Sequence, residues 1–242
     1  MADLGAEIPV WKAKGAEKTR RVREMFAEIA PTYDLLNDLI SLRGHHGWRA
    51  RAVRGLQLRP GAKVLDVCSG TGEFVRSIRR AMGPSVNVVG VDFALPMLEA
   101  AVRKPGANAL YVVGDALTLP VPGDCFDGAT VGWGIRNVSD IDAAHVEIFR
   151  VLKHGGRFAS VDMAVPPNRV VRAVTNWVFG TFVPLLGRLF GKGAAYAYLH
   201  RSVGEFWSRA QLEASMGNAG FVQVRHQDLL FGNVCIFEGV KP

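Results

Sequence analysis

The sequence predicts an α/β domain, a mostly parallel seven-stranded sheet with helices on both faces, entered through a helical extension at the amino terminus. Three observations carry this. From Lys63 onward short apolar runs alternate with amphipathic stretches, the pattern of a parallel sheet built from βαβ units. The first apolar run, Val64-Leu65-Asp66-Val67, passes straight into Cys68-Ser69-Gly70-Thr71-Gly72, an acidic strand end followed by the Gly-x-Gly turn of a nucleotide-cofactor loop. The residues before Lys63 read as helical throughout.

Residues 18–30 read as a helix because Val22, Met25, Phe26 and Ile29 recur at three- and four-residue steps, and Pro31 ends it. A second helical piece runs from Tyr33 to Ile40 and a third from Trp48 to Leu56, ahead of the turn Arg59-Pro60-Gly61. Strand 63–67, helix 72–82, strand 86–91, helix 95–103, strand 109–113 and strand 127–132 follow. Ser139-Asp140 caps a helix over 140–152. Lys153-His154-Gly155-Gly156 closes that helix, Gly155 supplying its stop, before the strand from Arg157 to Met163. A helix at 208–219 ends at Gly220, and Phe221 to His226 and Asn233 to Val240 read as a closing pair of strands. Residues 1–60 are therefore expected to form a helical substrate cap. Residues 61–242 form the cofactor domain, with 164–207 inserted as helices over the active site.

The loop also says which cofactor. A dinucleotide site carries a third glycine that lets the helix press onto the strand, and here that position is Val75. Asp66 would repel a pyrophosphate, yet it can hold the ammonium group of S-adenosylmethionine directly or through water. Asp92 closes the next apolar run about 20 residues beyond Gly72, where such folds place the acceptor for ribose hydroxyls. Asp115, in Val112-Val113-Gly114-Asp115-Ala116, ends the following strand, where its oxygen can accept from the adenine amino group. The bland alternative for Asp92 and Asp115 is helix capping. The fold class is thus Rossmann-like, of the class I S-adenosylmethionine-dependent methyltransferase type. Gly70, Thr71, Gly72 and Phe93 join the three acids as cofactor residues, and no metal is expected.

Composition sets the limits of this reading. The chain has 242 residues, 49% of them hydrophobic, enough for one α/β domain with a large core. Lys and Arg outnumber acids 29 to 22, for a net charge of +7. Many of these basics lie in the first sixty residues (Lys12, Lys14, Lys18, Arg20, Arg21, Arg23, Arg43, Arg49, Arg51, Arg54, Arg59), which invites nucleic acid or anionic lipid. Glu17, Glu24, Glu28, Asp34 and Asp38 interrupt them, so a solvated helix face competes with both. Cys68, Cys125 and Cys235 are scattered and fit neither a disulfide framework nor a zinc site. No signal-peptide core precedes Lys18, so a cytoplasmic location is expected. The segment Val170 to Gly191 is rich in apolar and aromatic side chains but too short and too interrupted to span a bilayer. It is expected to lie at a membrane interface or over a greasy pocket, with core packing as the alternative.

At Gly132-Trp133-Gly134-Ile135-Arg136-Asn137-Val138 the chain resembles the ubiquinone/menaquinone biosynthesis C-methyltransferases, which carry a Phe-Gly-Leu-Arg-Asn-Val type motif after the fourth strand. Tyr33-Asp34-Leu35-Leu36-Asn37-Asp38 is similar to that family's Tyr-Asp-x-x-Asn-Asp segment, and His45 with Trp48 to its His-x-x-Trp. Arg150 to Gly156 matches Arg-Val-Leu-Lys-x-Gly-Gly with His154 in place of proline, and Gly239-Val240-Lys241-Pro242 the Gly-Tyr-Lys-Pro close. The resemblance covers nearly the whole chain. It departs at Cys68-Ser69, where many members have Ala-Gly, and at Gly132, where serine is frequent.

Carried over, the resemblance places the cofactor on Thr71, Asp92, Asp115, Ala116 and Gly132. It implies C-methylation of a prenylated quinol, demethylmenaquinol ahead of a demethylubiquinol-type or phytyl-naphthoquinol substrate, with peripheral contact to an anionic membrane, no nucleic-acid partner and an assembly that admits a homodimer. A phenolate-activated ring carbon would attack the sulfonium methyl in line, so the protein must position both centres and stabilise an oxyanion. Arg136 is the expected cation and Asn137 the group that orients the ring oxygen or a water, with Tyr33 and His45 as further candidates. For Arg136 the alternative is a salt bridge at the strand end, and for His45 a packing role. Two rival functions remain: methylation of an unrelated small molecule, and action on nucleic acid. The second lacks the Asn/Asp-Pro-Pro-aromatic motif after the fourth strand.

Overall fold

The structure, a computed structural model, describes residues 13, 15–182 and 206–242. Three helices, α1 (Gly15–Ile29), α2 (Tyr33–Ser41) and α3 (Gly44–Gly55), lead into the sheet. Strands β1 (Lys63–Val67), β2 (Asn87–Asp92), β3 (Leu110–Val113) and β4 (Phe126–Gly132) come next. Helices α4 (Glu73–Met82) and α5 (Leu95–Arg103) join the first three of these strands. Then come α6 (Ile141–Val151), β5 (Leu152–Met163), α7 (Arg169–Trp177), α8 (Arg209–Asn218), β6 (Val222–Leu229) and β7 (Val234–Val240).

The seven strands are ordered β3-β2-β1-β4-β5-β7-β6, parallel from β3 to β5, with β7 antiparallel to β5 and to β6. The chain therefore steps outward from β1 to β3 and then returns to the other side of β1 with β4. That reversal opens a crevice beyond the carboxyl ends of β1 and β4, where open α/β sheets bind ligands.

Side chains alternate across the sheet, and each face has its own core. Val64, Val88, Ala159 and Val161 pack with Ala52, Val53 and Leu56 of α3 and Phe74, Val75 and Ile78 of α4. Leu65, Val67, Val89, Ala129 and Val131 pack on the opposite face with Ala144 and Ile148 of α6 and Leu212 and Met216 of α8. The parity places Asp66, which follows Val64 by two, on the α3 and α4 face. The helical entry closes over α5 through Ile29, Ala30, Ala94 and Met97.

Several sequence expectations are corrected in detail. Helix α3 begins at Gly44, not Trp48, because Leu42 and Arg43 take left-handed backbone angles and restart the chain there. Gly155 does not stop α6, which ends at Val151. Leu152 already pairs with Phe126 in β5, and Gly155 (φ 77°) sits at an irregularity within that strand, where its amide donates to Lys241 O. Strand β6 continues to Leu229, past the expected His226. The expected cap of α6 is present, Asp140 accepting from Ala143 N at 3.0 Å. Of the 164–207 insertion, residues 183–205 lie outside the described residues. Among the described residues no helix is long and apolar enough to cross a membrane.

Gly72 shows how tightly the cofactor loop is set. It has φ 77°, and an added Cβ would fall 2.5 Å from the Tyr111 hydroxyl, which donates to Ala107 O at 2.6 Å. Gly72→Ala is expected to cost about 2–4 kcal/mol, combining left-handed strain with overpacking. Tyr111→Phe in the same chain should return part of that loss, as read by urea denaturation; a double variant no more stable than Gly72→Ala would show that the hydroxyl is not the obstacle.

Candidate active site

Beyond the ends of β1 and β4 the crevice holds a cleft of about 650 Å³. Gly70, Asp92, Phe93, Asp115, Ala116 and Gly132 all line it, joined from the helical entry by Phe26 and Tyr33. Asp92 is the hub. Its Oδ2 accepts from Gly70 N at 2.8 Å and its Oδ1 from Ala94 N at 2.9 Å, so one carboxylate holds the loop and the start of α5 together. The carboxylate retains acceptor capacity for a ligand hydroxyl. The capping alternative and the ligand role are thus both open to the same side chain. Asp115 accepts from Leu117 N at 3.0 Å and closes its own turn.

Asp66, Thr71 and Gly132 line a smaller inner pocket with Ser69, Gly70, Glu73 and Arg49. Asp66 is 1% exposed and accepts from the hydroxyls of Ser69 at 2.7 Å and Thr130 at 2.8 Å. Ser69 stands where the family often has glycine, and its hydroxyl partly compensates the buried carboxylate. Burial still pushes the Asp66 carboxyl up to about 7, and burial likewise pushes Asp92 up to about 6. Thr71 donates to Asp34 at 2.6 Å and so ties the loop to α2. Gly132 is tightly packed: a Cβ there would lie 2.8 Å from the Phe74 ring, so a serine at that position would require Phe74 to shift. Gly72 lies behind the loop and lines none of these spaces.

A second cavity of about 940 Å³ opens beside the first, walled by apolar side chains that include Met25, Ile29, Ile40, Trp48, Met163 and Val234. Phe26, Tyr33, Trp133 and Asn137 line both cavities, forming a shared wall. Arg136, Asn137 and His45 stand in the second one. The Arg136 guanidinium is paired with buried Asp162, and among the described residues its Nε has no hydrogen-bond partner. The salt-bridge alternative is therefore what the pair displays, with the buried Nε left over. Asn137 donates to Trp133 O at 2.9 Å, and Lys18 of α1 donates to Val138 O at 2.6 Å, so the helical entry clasps this turn. Burial holds the Tyr33 phenol above its ordinary value.

His45 is a cavity residue, not a surface one. Arg49 Nη1 donates to its Nδ1, which leaves Nε2 to carry the proton and donate to Asp38 at 2.6 Å. Burial first, and the Arg49 charge second, hold its pKa down to about 4. His46 Nε2 reaches the same Asp38 oxygen at 2.9 Å. Although Asp38, His45 and His46 converge as ligands of a cation would, Arg49 occupies the lone pair that a metal-bound His45 must protonate. The group therefore reads as a hydrogen-bond chain.

Sequence reasoning missed Arg49, Met97, Trp133 and the apolar wall from α1. A signal for Arg49 existed: at helical spacing four residues after His45 it shares that side chain's face. It was hidden among basics that do form a solvated face, Arg20 pairing with Glu17 and Glu24 on α1.

The chain matches the ubiE/COQ5 methyltransferase family over residues 14–241. It is 38% identical over 230 residues to the ubiquinone/menaquinone biosynthesis C-methyltransferase UbiE of Geobacter sulfurreducens, covering 93% of this chain and 90% of that one. It is 40% identical over 222 residues to the demethylmenaquinone methyltransferase of Thermus thermophilus, covering 90% and 100%. Among solved structures, a SAM-dependent methyltransferase of Thermotoga maritima, described as a possible histamine N-methyltransferase, superposes with a TM-score of 0.66 at 19% identity, covering 91% and 100%. At that identity the likeness concerns the fold.

The raised Asp66 pKa has a pH signature. The folded carboxyl binds its proton more tightly than the ordinary value of 3.8, so its contribution is present below pH 3.8 and is lost as pH rises through about 7. Buried His45 and His145, both lowered to about 4, oppose it by losing stability as pH falls from 6.5. Comparison with Asp66→Asn cancels the histidines. In urea unfolding without ligand, wild type should lose stability relative to this variant between pH 4 and 7 and level off above; a constant difference would mean that Asp66 titrates normally.

Proposed function

The chain belongs to the ubiE/COQ5 methyltransferase family, and on that premise we propose that it methylates a ring carbon of a prenylated quinol, with demethylmenaquinol as substrate. It is an S-adenosylmethionine-dependent methyltransferase with a Rossmann-like fold. The observation that carries the substrate reading is the pairing of an acid-lined cleft with a larger apolar cavity across the shared wall of Phe26, Tyr33, Trp133 and Asn137. A naphthoquinol with an isoprenoid tail suits the apolar side, and the name borne by the 40% identical relative agrees. No observation favours nucleic acid, because Arg20 and Arg21 of the basic entry are paired within α1.

The cofactor, when bound, supplies an electrophilic sulfonium methyl group. On this reading Asp92 accepts from the ribose hydroxyls and Asp115, with Ala116 and Phe93, receives the adenine. Asp66, Gly70, Thr71 and Gly132 surround the amino-acid end, and Gly72 gives the loop its shape. The orphaned Arg49 Nε beside Gly132 and the open space at Gly70 fit such a group, since they leave a donor and room that the protein itself does not use. The helical entry, 1–60, acts as the substrate cap, because α1 provides both Met25 and Ile29 to the cavity and Lys18 to the turn at Arg136.

Arg136 supplies the charge that favours loss of a phenol proton. Asp162 fixes the guanidinium in place, and the unpartnered Nε is the donor available to the ring oxygen or an ordered water. Asn137 orients that oxygen, and Tyr33 forms the wall between methyl and ring. His45 takes no proton near neutrality, because both its nitrogens are engaged and its pKa is near 4.

Membrane contact through the 170–190 segment belongs to the same reading. Val170, Val174 and Trp177 of α7 recur at four- and three-residue steps, are 72%, 57% and 69% exposed, and α7 buries no residue. Such a stripe, beside Arg169 and Arg172, suits an anionic interface.

Two measurements test this function. Labelled S-adenosylmethionine and a lipid extract lacking methylated quinones should yield labelled menaquinone, and labelling of soluble phenols instead would overturn the substrate. In single turnover with the same reagents, Arg136→Lys is expected to slow methylation by about 10²–10³, because lysine lacks the planar fork that serves Asp162 and the ring oxygen together. A near-normal rate with only a lowered melting temperature would leave Arg136 a purely structural ion pair.

The protein should also float with phosphatidylglycerol vesicles at low salt and detach as salt rises. Val174→Ala with Trp177→Ala should weaken flotation; no flotation of wild type at low salt would remove the membrane role of α7.

A further inference from the structure

Arg49 of α3 is the buried charge that this chemistry leaves unused. It is 5% exposed, with its guanidinium 4.5 Å from the ring centroid of Trp133 and 5.7 Å from that of Phe74. Nη1 is taken by His45, through the ring Nδ1 and, at 3.4 Å, the carbonyl. Nε has no hydrogen-bond partner. A buried guanidinium is costly unless an anion opposes it, and among the described residues no carboxylate pairs with Arg49.

The acids that act on it through space, Glu73, Asp66 and Asp34, are each committed elsewhere. Glu73 is paired with Arg76 and Lys104, at 2.8 and 3.0 Å. Asp34 serves Lys104 and Thr71. Asp66 receives the Ser69 and Thr130 hydroxyls. The site therefore lacks one anion.

Sheet parity says where that anion belongs. Asp66, Thr130 and Gly132 project toward α3 and α4, and the position of a Cβ on Gly132 would be 3.8 Å from Arg49 Nε. The free donor is thus beside the strand end that lines both the cofactor cleft and the inner pocket. The inner pocket, of about 290 Å³, has Asp66 and Arg49 in its lining with Gly70 and Gly132 between their elements. We propose that Arg49 binds the α-carboxylate of the cofactor's methionine moiety while Asp66 takes its ammonium group, a paired clamp for a zwitterion. Asp66 alone would repel that carboxylate, and a guanidinium beside it removes the conflict. Arg49 also lines the apolar cavity, yet a quinol oxygen is the weaker occupant, because Nη1 is already bonded to His45 and Gly132, beside the free Nε, lines the cofactor cleft and the inner pocket but not that cavity.

The inference rests on S-adenosylmethionine as cofactor, and the test separates the two. Isothermal titration of the full chain uses S-adenosylmethionine, its decarboxylated form and 5′-methylthioadenosine, which lacks the amino-acid moiety. Wild type should bind the decarboxylated form roughly 10- to 100-fold more weakly than S-adenosylmethionine, the worth of a charge-assisted hydrogen bond in a buried site. Arg49→Gln should lose a similar factor for S-adenosylmethionine, bind both forms alike, and keep methylthioadenosine within about twofold of wild type.

Wild type binding both forms equally, or Arg49→Gln losing all three ligands by one factor, would overturn the clamp and leave the cofactor assignment standing. Failure of wild type to bind S-adenosylmethionine would overturn the assignment as well. If Arg49→Gln does not fold, Arg49→Lys replaces it, with a smaller loss for S-adenosylmethionine and none for methylthioadenosine expected; a loss shared by both ligands would again count against the clamp.

Discussion

A carboxylate that water barely reaches, Asp66 at the end of the central strand, sets the terms for everything built around it. Burying a carboxylate without partners costs several kcal/mol. The neighbouring sequence meets that cost with the Ser69 hydroxyl from the loop, the Thr130 hydroxyl from β4 and the field of Arg49 from α3. Each contribution comes from a different element. The loop, the fourth strand and the helical entry are therefore tied to one point, and that point lies where the order of strands reverses.

The same demand propagates outward. Arg49, brought in beneath the strand ends, needs a neutral acceptor for Nη1, and His45 four residues earlier supplies it. His45 then turns its remaining N–H to Asp38, fixing α2 against α3. Thr71 and Lys104 meet at Asp34, so α2 is also held to the cofactor loop and to the end of α5. The helical entry is thus attached by polar contacts at its second and third helices and by apolar packing at its first, where Ile29 and Ala30 meet Ala94 and Met97. This division suits a cap. The apolar wall that α1 offers to the larger cavity is not spent on the core of the sheet.

Two buried arginines, two readings of charge and one shared wall then give the site its direction. Arg136 is neutralised by Asp162, while Arg49, reaching the same apolar cavity from α3, has no carboxylate partner among the described residues. Trp133, just beyond the tip of β4, lines that cavity with both of them. The acid-lined cleft and the apolar cavity adjoin there, sharing Phe26, Tyr33, Trp133 and Asn137. The left-handed backbone at Cys68 and Trp133 marks the two turns that must bend away to leave the space.

Much of this was legible in the residues alone, and for a physical reason: local patterns report local structure. Alternating apolar runs located all seven strands, the acid-then-glycine turn located the cofactor loop, and Asp92 and Asp115 at the next strand ends line the same cleft. The misplacements have equally local causes. Gly155 looks like a helix stop by composition, yet Leu152 had already joined a strand through a partner, Phe126, that is distant in sequence. The basics of the first sixty residues look alike in one dimension, and only packing separates Arg20, paired on a wet helix face, from Arg49, desolvated under the sheet. The sequence by itself determined the fold class, the cofactor loop and the family motifs, because these depend on spacing within a few turns of chain. The tertiary structure alone decided which charges are compensated, since that depends on partners such as Arg136 and Asp162, or Asp66 and Thr130, that meet only when the strands are side by side.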